Sequence, residues 1–168
     1  MKVKKNNIVK NITLIELLAV IVVLGLVVLI SVPIISDAYT KSKIKSEEVF
    51  VDRLTQAIDS YVKLNEIEYK STGNGKKTEN GKEYDITYQK GTITIQKIID
   101  DGILTQKDFV NAGNKDATCN TDAEVEVYKD SDFVYCYKMP ITNLTCLSDN
   151  YKEKYKDETY AINTCAWE

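Results

Sequence analysis

The chain has 168 residues, a formal net charge of -3 and no histidine. The lack of histidine excludes His-based acid–base catalysis, Ser–His and Cys–His nucleophilic pairs, and His-ligated metal sites. A slightly acidic chain without a long basic run argues against nucleic acid as the main partner. We find no catalytic constellation and expect neither a metal nor a cofactor.

The first predicted element is an apolar helix that follows a basic leader. Residues 1–11 carry four lysines and no acidic residue, and the run from Leu17 to Ile35 carries no charge. As a helix this run would extend about 28 Å, close to the ~30 Å hydrocarbon core of a bilayer. It is longer than the apolar region of a secretory signal, and no A-x-A cleavage pattern ends it. We therefore predict a retained transmembrane helix over 12–36, with its N-terminus inside.

Two residues are unusual for a simple membrane anchor. Glu16 lies at the edge of the apolar run, where a carboxylate is costly unless it is paired. Pro33 removes one backbone hydrogen bond and is expected to kink or loosen the helix near its outer end. From the residues alone, an equally good interpretation places Glu16 at the level of the lipid headgroups and Pro33 at the membrane exit.

The segment 11–16, which reads Asn-Ile-Thr-Leu-Ile-Glu, resembles the N-terminus of type IV pilins and pseudopilins. That family has a short basic leader, a cleavage point, an apolar residue, Thr, Leu, an aliphatic residue and Glu. A proline recurs 17 residues beyond the Glu, which is the spacing between Glu16 and Pro33. The family usually has glycine before the cleavage point, where this chain has Asn11. The resemblance covers roughly residues 1–60.

The resemblance implies a route of processing and assembly. A prepilin peptidase would cut between Asn11 and Ile12 and methylate the new amine of Ile12. The helix would then leave the bilayer and pack with copies of itself in a filament core, driven by an assembly platform with a motor ATPase. Glu16 would neutralise the Ile12 amine of a neighbouring subunit, because each charge is tolerable in an apolar bundle only when paired. The assembly residues of the motif are Glu16, Thr13, Pro33 and Gly25.

The helix is predicted to continue beyond the apolar run as an amphipathic half over 37–68. Apolar residues recur there at helical spacing, at Ile44, Val51, Leu54, Ile58, Tyr61 and Val62. The polar cluster from Ser71 to Gly75 is predicted to interrupt regular secondary structure after the helix. We therefore expect one helix from Ile12 to about Glu66, whose apolar stripe covers a sheet.

Residues 69–168 are predicted to form a head with three or four antiparallel strands. Tyr84, Ile86 and Tyr88 alternate with polar residues, as in a half-buried strand. Thr94 to Gly102 has the spacing of a short helix, with Thr94 and Gly102 as its caps. Further strands are expected around Val125 and Val127, over 134–139 and within 159–165, with a turn at 129–132. The fold class is therefore α+β, with a long helix packed on a small antiparallel sheet as in pilins.

The four cysteines all follow the predicted membrane helix, on the side where disulfides persist. Four cysteines allow three pairings. We predict adjacent pairing, with Cys119 bonded to Cys136 and Cys146 bonded to Cys165. The second bond would resemble the disulfide-bounded C-terminal loop of many pilins. A zinc site is the alternative, but such sites usually hold cysteines in close pairs, which this sequence lacks.

These features predict a structural protein and not an enzyme. The leading interpretation is a type IV pilus subunit, held in the inner or cytoplasmic membrane before assembly and in a surface filament afterwards, with adhesion or motility as its role. One alternative is a pseudopilin of a type II secretion or competence apparatus. Another is a membrane-anchored binding or sensor protein that keeps its leader and forms no filament.

Overall fold

The computed structural model describes residues 13–115 and 117–165, apart from the side chains of residues 30–34 and 79. The predicted leader 1–11 and Ile12 lie outside these residues. The elements in chain order are α1 (Leu14–Leu64), β1 (Tyr69–Glu79), β2 (Lys82–Thr94), α2 (Ile95–Asp100), β3 (Glu124–Asp130), β4 (Tyr135–Pro140), a 3-10 turn (Ile141–Asn143), α3 (Asp149–Lys154) and β5 (Tyr160–Asn163). This is the predicted α+β class.

The described residues divide into two compact units, one up to Thr40 and one from Lys41 onward. Helix α1 confirms the predicted long helix, and residues 31–34 are part of it. Among residues 13–115 and 117–165, no helix is long and apolar enough to cross a membrane. The predicted span 12–36 also includes Ile12 and the side chains of residues 30–34, which lie outside the described part of the chain.

The second unit contains one antiparallel sheet with the strand order β1-β2-β3-β4-β5. The sheet therefore has five strands, where three or four were predicted. The prediction of a break at 71–75 is wrong, because this polar cluster lies inside β1 and pairs with β2. Asn80 and Gly81 both have positive φ and form the tight turn of that hairpin. The hydrogen-bonding partner across the hairpin outweighs the weak strand preference of the glycines and polar residues.

The core of the second unit lies between α1 and one face of the sheet. The predicted apolar stripe of α1 is confirmed, since its side chains from Val51 to Val62 are buried. They pack with β3, β4 and β5 through Val125, Val127, Met139 and Ile162. Helix α2 adds Ile95 and Ile98, and Thr94 caps it as predicted, with its hydroxyl accepting from the N–H of Lys97. Each large buried side chain stabilises the unit by about 1.5–3 kcal/mol.

The predicted pairing of the cysteines is wrong. Disulfides join Cys119 to Cys146 and Cys136 to Cys165, in place of Cys119 to Cys136 and Cys146 to Cys165. Cys136 lies on β4, and Cys165 lies two residues beyond the end of β5, which is the neighbouring strand. The two cysteines therefore meet because the strands pair, however far apart they are in the sequence.

The other disulfide joins two loops at one end of the sheet. Cys119 lies in the loop before β3, and Cys146 follows the 3-10 turn after β4. The hydroxyl of Thr145 donates to the carbonyl of Thr118 at 3.1 Å, so the two loops run side by side at this point. Adjacent pairing would require Cys119 to leave this loop contact and reach Cys136 near the start of β4.

Candidate functional site

The apolar segment, which we define as residues Leu14–Leu29 of α1, has an unusual surface. Its large apolar side chains point in all directions around the helix, and each of them is at least 52% exposed. They are Leu14, Ile15, Leu17, Leu18, Val20, Ile21, Val22, Val23, Leu24, Leu26, Val27, Val28 and Leu29. A helix that is apolar on every side is normally buried in a large assembly or in lipid. The segment is therefore a surface that requires an apolar environment.

Thr13 and Glu16 form a reciprocal cap at the start of the apolar segment. The backbone N–H and the hydroxyl of Thr13 donate to Oε2 of Glu16 at 2.8 and 2.9 Å. The N–H of Glu16 donates back to the Thr13 hydroxyl at 3.3 Å. This is a capping box, which satisfies donors that the first helical turn leaves free. The same Thr-x-x-Glu spacing is visible in the sequence, where the pilin resemblance had suggested only a contact between subunits.

The carboxylate of Glu16 is only partly satisfied by this cap. Both contacts from Thr13 reach the same oxygen, Oε2. No donor in the described part of the chain lies within hydrogen-bond distance of Oε1. A negative charge in the first turn of a helix is also favoured by the helix dipole. Glu16 is therefore held in a defined position with one oxygen available to a further donor.

Gly25 and Pro33 are the other predicted assembly residues. A Cβ placed on Gly25 would meet no atom within 4 Å, so the chain's own packing does not require glycine there. Small residues in apolar helices allow a second helix to approach closely. Pro33 belongs to α1, but its side chain is not among the described parts of the chain. The predicted processing residues Asn11 and Ile12 also lie outside the described residues. The structure thus brings Thr13 and Glu16 together and places Gly25 farther along the same helix.

The chain matches no model of a known protein family, and no curated protein or solved structure is significantly similar to it. Within the described ranges, no group of three or more Cys, Asp or Glu side chains is placed to hold a metal ion.

The second unit contains a buried carboxylate that the sequence pattern did not identify. Glu47 of α1 is fully buried. Its Oε1 accepts from the N–H of Ser148 at 2.8 Å and from Nδ2 of Asn111 at 3.2 Å, and its Oε2 accepts from the Ser148 hydroxyl at 2.7 Å. These donors compensate for the loss of water around the charge. The sequence did contain an indication that Glu47 is buried. At helical spacing, Glu47 lies between Ile44 and Val51 on the apolar stripe.

The same network connects α1 to the disulfide Cys119–Cys146. Nδ2 of Asn111 also donates to the carbonyl of Cys146 at 2.9 Å, and Nδ2 of Asn114 donates to the same carbonyl at 2.8 Å. Glu47 therefore fixes two loops of the head onto the helix at one point.

Gly113 lies against this network, and we expect Gly113→Ala to destabilise the second unit by about 1–3 kcal/mol. A Cβ at this position would lie 2.5 Å from Cγ of Glu47 and 2.6 Å from the carbonyl oxygen of Lys43. Denaturant unfolding of the full chain in detergent, followed by near-UV circular dichroism, measures the change. Gly25→Ala is the matched control, because the added methyl group has open space. Equal stability of Gly113→Ala and the parent chain would contradict the described packing.

Proposed function

We propose that the chain is a structural subunit of a type IV pilus, which assembles through its apolar segment. The observation that carries this proposal is the exposure of large apolar side chains all around the helix from Leu14 to Leu29. Such a helix needs an apolar environment. Identical helices of neighbouring subunits supply it in a filament, and the inner or cytoplasmic membrane supplies it before assembly.

The cap at the start of the segment supports a specific contact between subunits. Oε1 of Glu16, which no described donor of its own chain contacts, would accept from the Ile12 amine of a neighbouring subunit after a prepilin peptidase has cut behind Asn11. The Thr13 cap holds the carboxylate in position, so that less conformational freedom is lost when the contact forms. A paired carboxylate and ammonium in an apolar bundle would also fix the register between subunits. Assembly would be driven by a separate platform with a motor ATPase.

The second unit supports a position of the head outside the cytoplasm. Two disulfides cross-link it, and such bonds persist mainly in oxidising compartments. The five-stranded sheet and the buried stripe of α1 give the head a core of its own. In a filament this unit would be the exposed part of each subunit.

We expect Ile21→Asn to lower the amount of chain in surface filaments at least about tenfold. A side-chain amide without a hydrogen-bond partner costs about 1–3 kcal/mol in each packed subunit. Filaments sheared from cells and quantified by immunoblot give the measurement. Tyr84→Asn is the matched control, since Ile21 is 57% exposed and Tyr84 is 50% exposed in the single chain. Equal filament yields for the two variants would contradict assembly through the apolar segment. A parent chain confined to a short envelope structure would indicate a pseudopilin, and a chain found in no polymer would indicate a binding or sensor protein.

A further inference from the structure

The turn between β3 and β4 presents an aromatic ring in an unfavourable backbone conformation. Phe133 is 69% exposed, and its φ is +61°, in the left-handed region that bulky side chains rarely adopt. Asp130 holds the turn, because its Oδ1 accepts from the N–H groups of Asp132 and Val134, both at 2.9 Å. Strain of this kind persists where the surrounding structure imposes it and is concentrated at functional sites. The turn thus directs an apolar ring toward solvent.

Two residues of opposite charge accompany this ring, one over its face and one next to it in the sequence. The ammonium of Lys129 lies 4.3 Å from the ring centroid of Phe133 and contacts two further aromatic rings. Asp132 is the residue just before the ring, and it is exposed. Neither charge has an ion-pair partner within the part of the chain that the structure describes. We call Lys129, Asp132 and Phe133 the turn knob.

A partly open cavity elsewhere on the second unit is lined by apolar side chains and by two residues of opposite charge. Its volume is about 220 Å³, and its lining residues are Phe50, Leu54, Leu104, Phe109, Arg53 and Asp108. The four apolar residues are buried, whereas Arg53 and Asp108 are exposed. No described acidic side chain pairs with Arg53, and Asp108 accepts only from the hydroxyl of Thr105. The cavity is therefore lined by four apolar side chains, one cation and one anion, and its volume is large enough for an aromatic ring.

The turn knob and the cavity lie beside different positions along α1. Lys129 and Tyr135 line a second cavity together with residues 62–67, so the turn is beside the C-terminal end of the helix. The first cavity includes Leu54, and about 12 Å of helix axis separates Leu54 from Val62. Because both sites belong to the same compact unit, a chain cannot place its own knob in its own cavity. The occupant has to come from another molecule.

We propose that Phe133 of one copy enters this cavity in a second copy, against the rings of Phe50 and Phe109, which pack on each other with centroids 5.8 Å apart. Lys129 then faces Asp108, and Asp132 faces Arg53, so that both charge pairs have opposite signs. The ring buries its apolar surface against the rings that line the cavity. Because the two surfaces differ, the contact is heterologous and repeats from copy to copy, which produces a ring or an open filament. The inference rests on the proposed function in taking a second copy as the partner, but it uses no residue of the apolar segment.

A photo-reactive side chain tests this contact in the full chain. Benzoylphenylalanine in place of Phe133 is irradiated in intact cells, and cross-linked peptides are identified by mass spectrometry. We expect cross-links between copies at Phe50, Leu104 or Phe109. The same probe at Tyr84, which is also exposed, should give none at the cavity. Cross-links from position 133 that map elsewhere, or none between copies, would overturn the inference.

Charge reversal distinguishes a specific contact from random proximity. Arg53→Asp or Asp132→Arg alone should lower the yield of the cavity cross-link about tenfold, and the two changes in one chain should restore it. Failure to restore the yield would count against the contact, provided that both disulfides are intact by mass. Filaments without the cavity cross-link would refute this inference alone. The cross-link in a chain that enters no filament would refute the proposed function alone.

Discussion

Glu16→Ala is expected to lower the amount of chain in sheared filaments at least about tenfold, while the amount in the membrane fraction stays unchanged. In the proposed filament the change leaves the Ile12 ammonium of a neighbour without its partner in an apolar bundle. Removal of one partner of a buried ion pair costs about 3–5 kcal/mol. Among the described residues of a single chain, Glu16 forms no ion pair that the change could break. Quantitative immunoblots of the filament and membrane fractions measure both amounts.

The Glu16→Gln variant separates ion pairing from helix capping. Alanine also removes the Thr13–Glu16 cap, and the loss of a cap costs about 0.5–2 kcal/mol. Glutamine can keep the reciprocal hydrogen bonds with Thr13 but carries no charge. We expect Glu16→Gln to assemble nearly as poorly as Glu16→Ala. A glutamine variant that assembles like the parent chain would show that Glu16 acts as a cap and not as an ion-pair partner.

Glu47→Ala is expected to lower the free energy of unfolding of the second unit by about 3 kcal/mol. The change leaves the N–H and hydroxyl of Ser148 buried without their acceptor, whereas Nδ2 of Asn111 loses one of its two acceptors and keeps the carbonyl of Cys146. Each unsatisfied buried donor costs about 1–3 kcal/mol, and local rearrangement recovers part of the total. Denaturant unfolding of the full chain in detergent, with both disulfides intact, gives the value.

Glu48→Ala is the matched control for this prediction, since the next residue of α1 carries a carboxylate in a more open position. Glu48 accepts from the hydroxyl of Tyr155 at 2.6 Å and forms an ion pair with Lys154. The hydrogen bond from Lys154 lowers the pKa of Glu48, so its contribution to stability is present at neutral pH and is lost as the pH falls. We expect a cost below about 1 kcal/mol. Equal costs for the Glu47 and Glu48 variants would contradict the buried network.

The parts of the fold that follow a local period could be predicted from the sequence. The stripe of α1 from Val51 to Val62 repeats every 3.6 residues, and its burial is observed. The short helix after Thr94 and strands β2 to β5 carry similar local signals and were also predicted. Strand β1 was not, because its glycines and polar residues resemble a loop. The Asn80-Gly81 pair is a strong hairpin signal, and it could have revealed β1 as the partner of β2.

Features that depend on contacts between distant residues could not be predicted in the same way. The Cys136–Cys165 pair follows from the pairing of β4 with β5, and the Cys119–Cys146 pair follows from the contact between two loops. The role of Glu47 depends on Ser148, which comes from the far end of the chain and supplies two of its hydrogen bonds. Of the predicted assembly residues, Glu16 and Thr13 were proposed from the resemblance to pilins, and their mutual cap became visible only in the structure.

The intact mass of the subunit in filaments sheared from cells shows whether the chain is a processed pilin. We expect a chain that begins at Ile12 with a methylated amine and contains disulfides Cys119–Cys146 and Cys136–Cys165. A chain that still begins at Met1 and is absent from every polymer fraction would contradict this expectation.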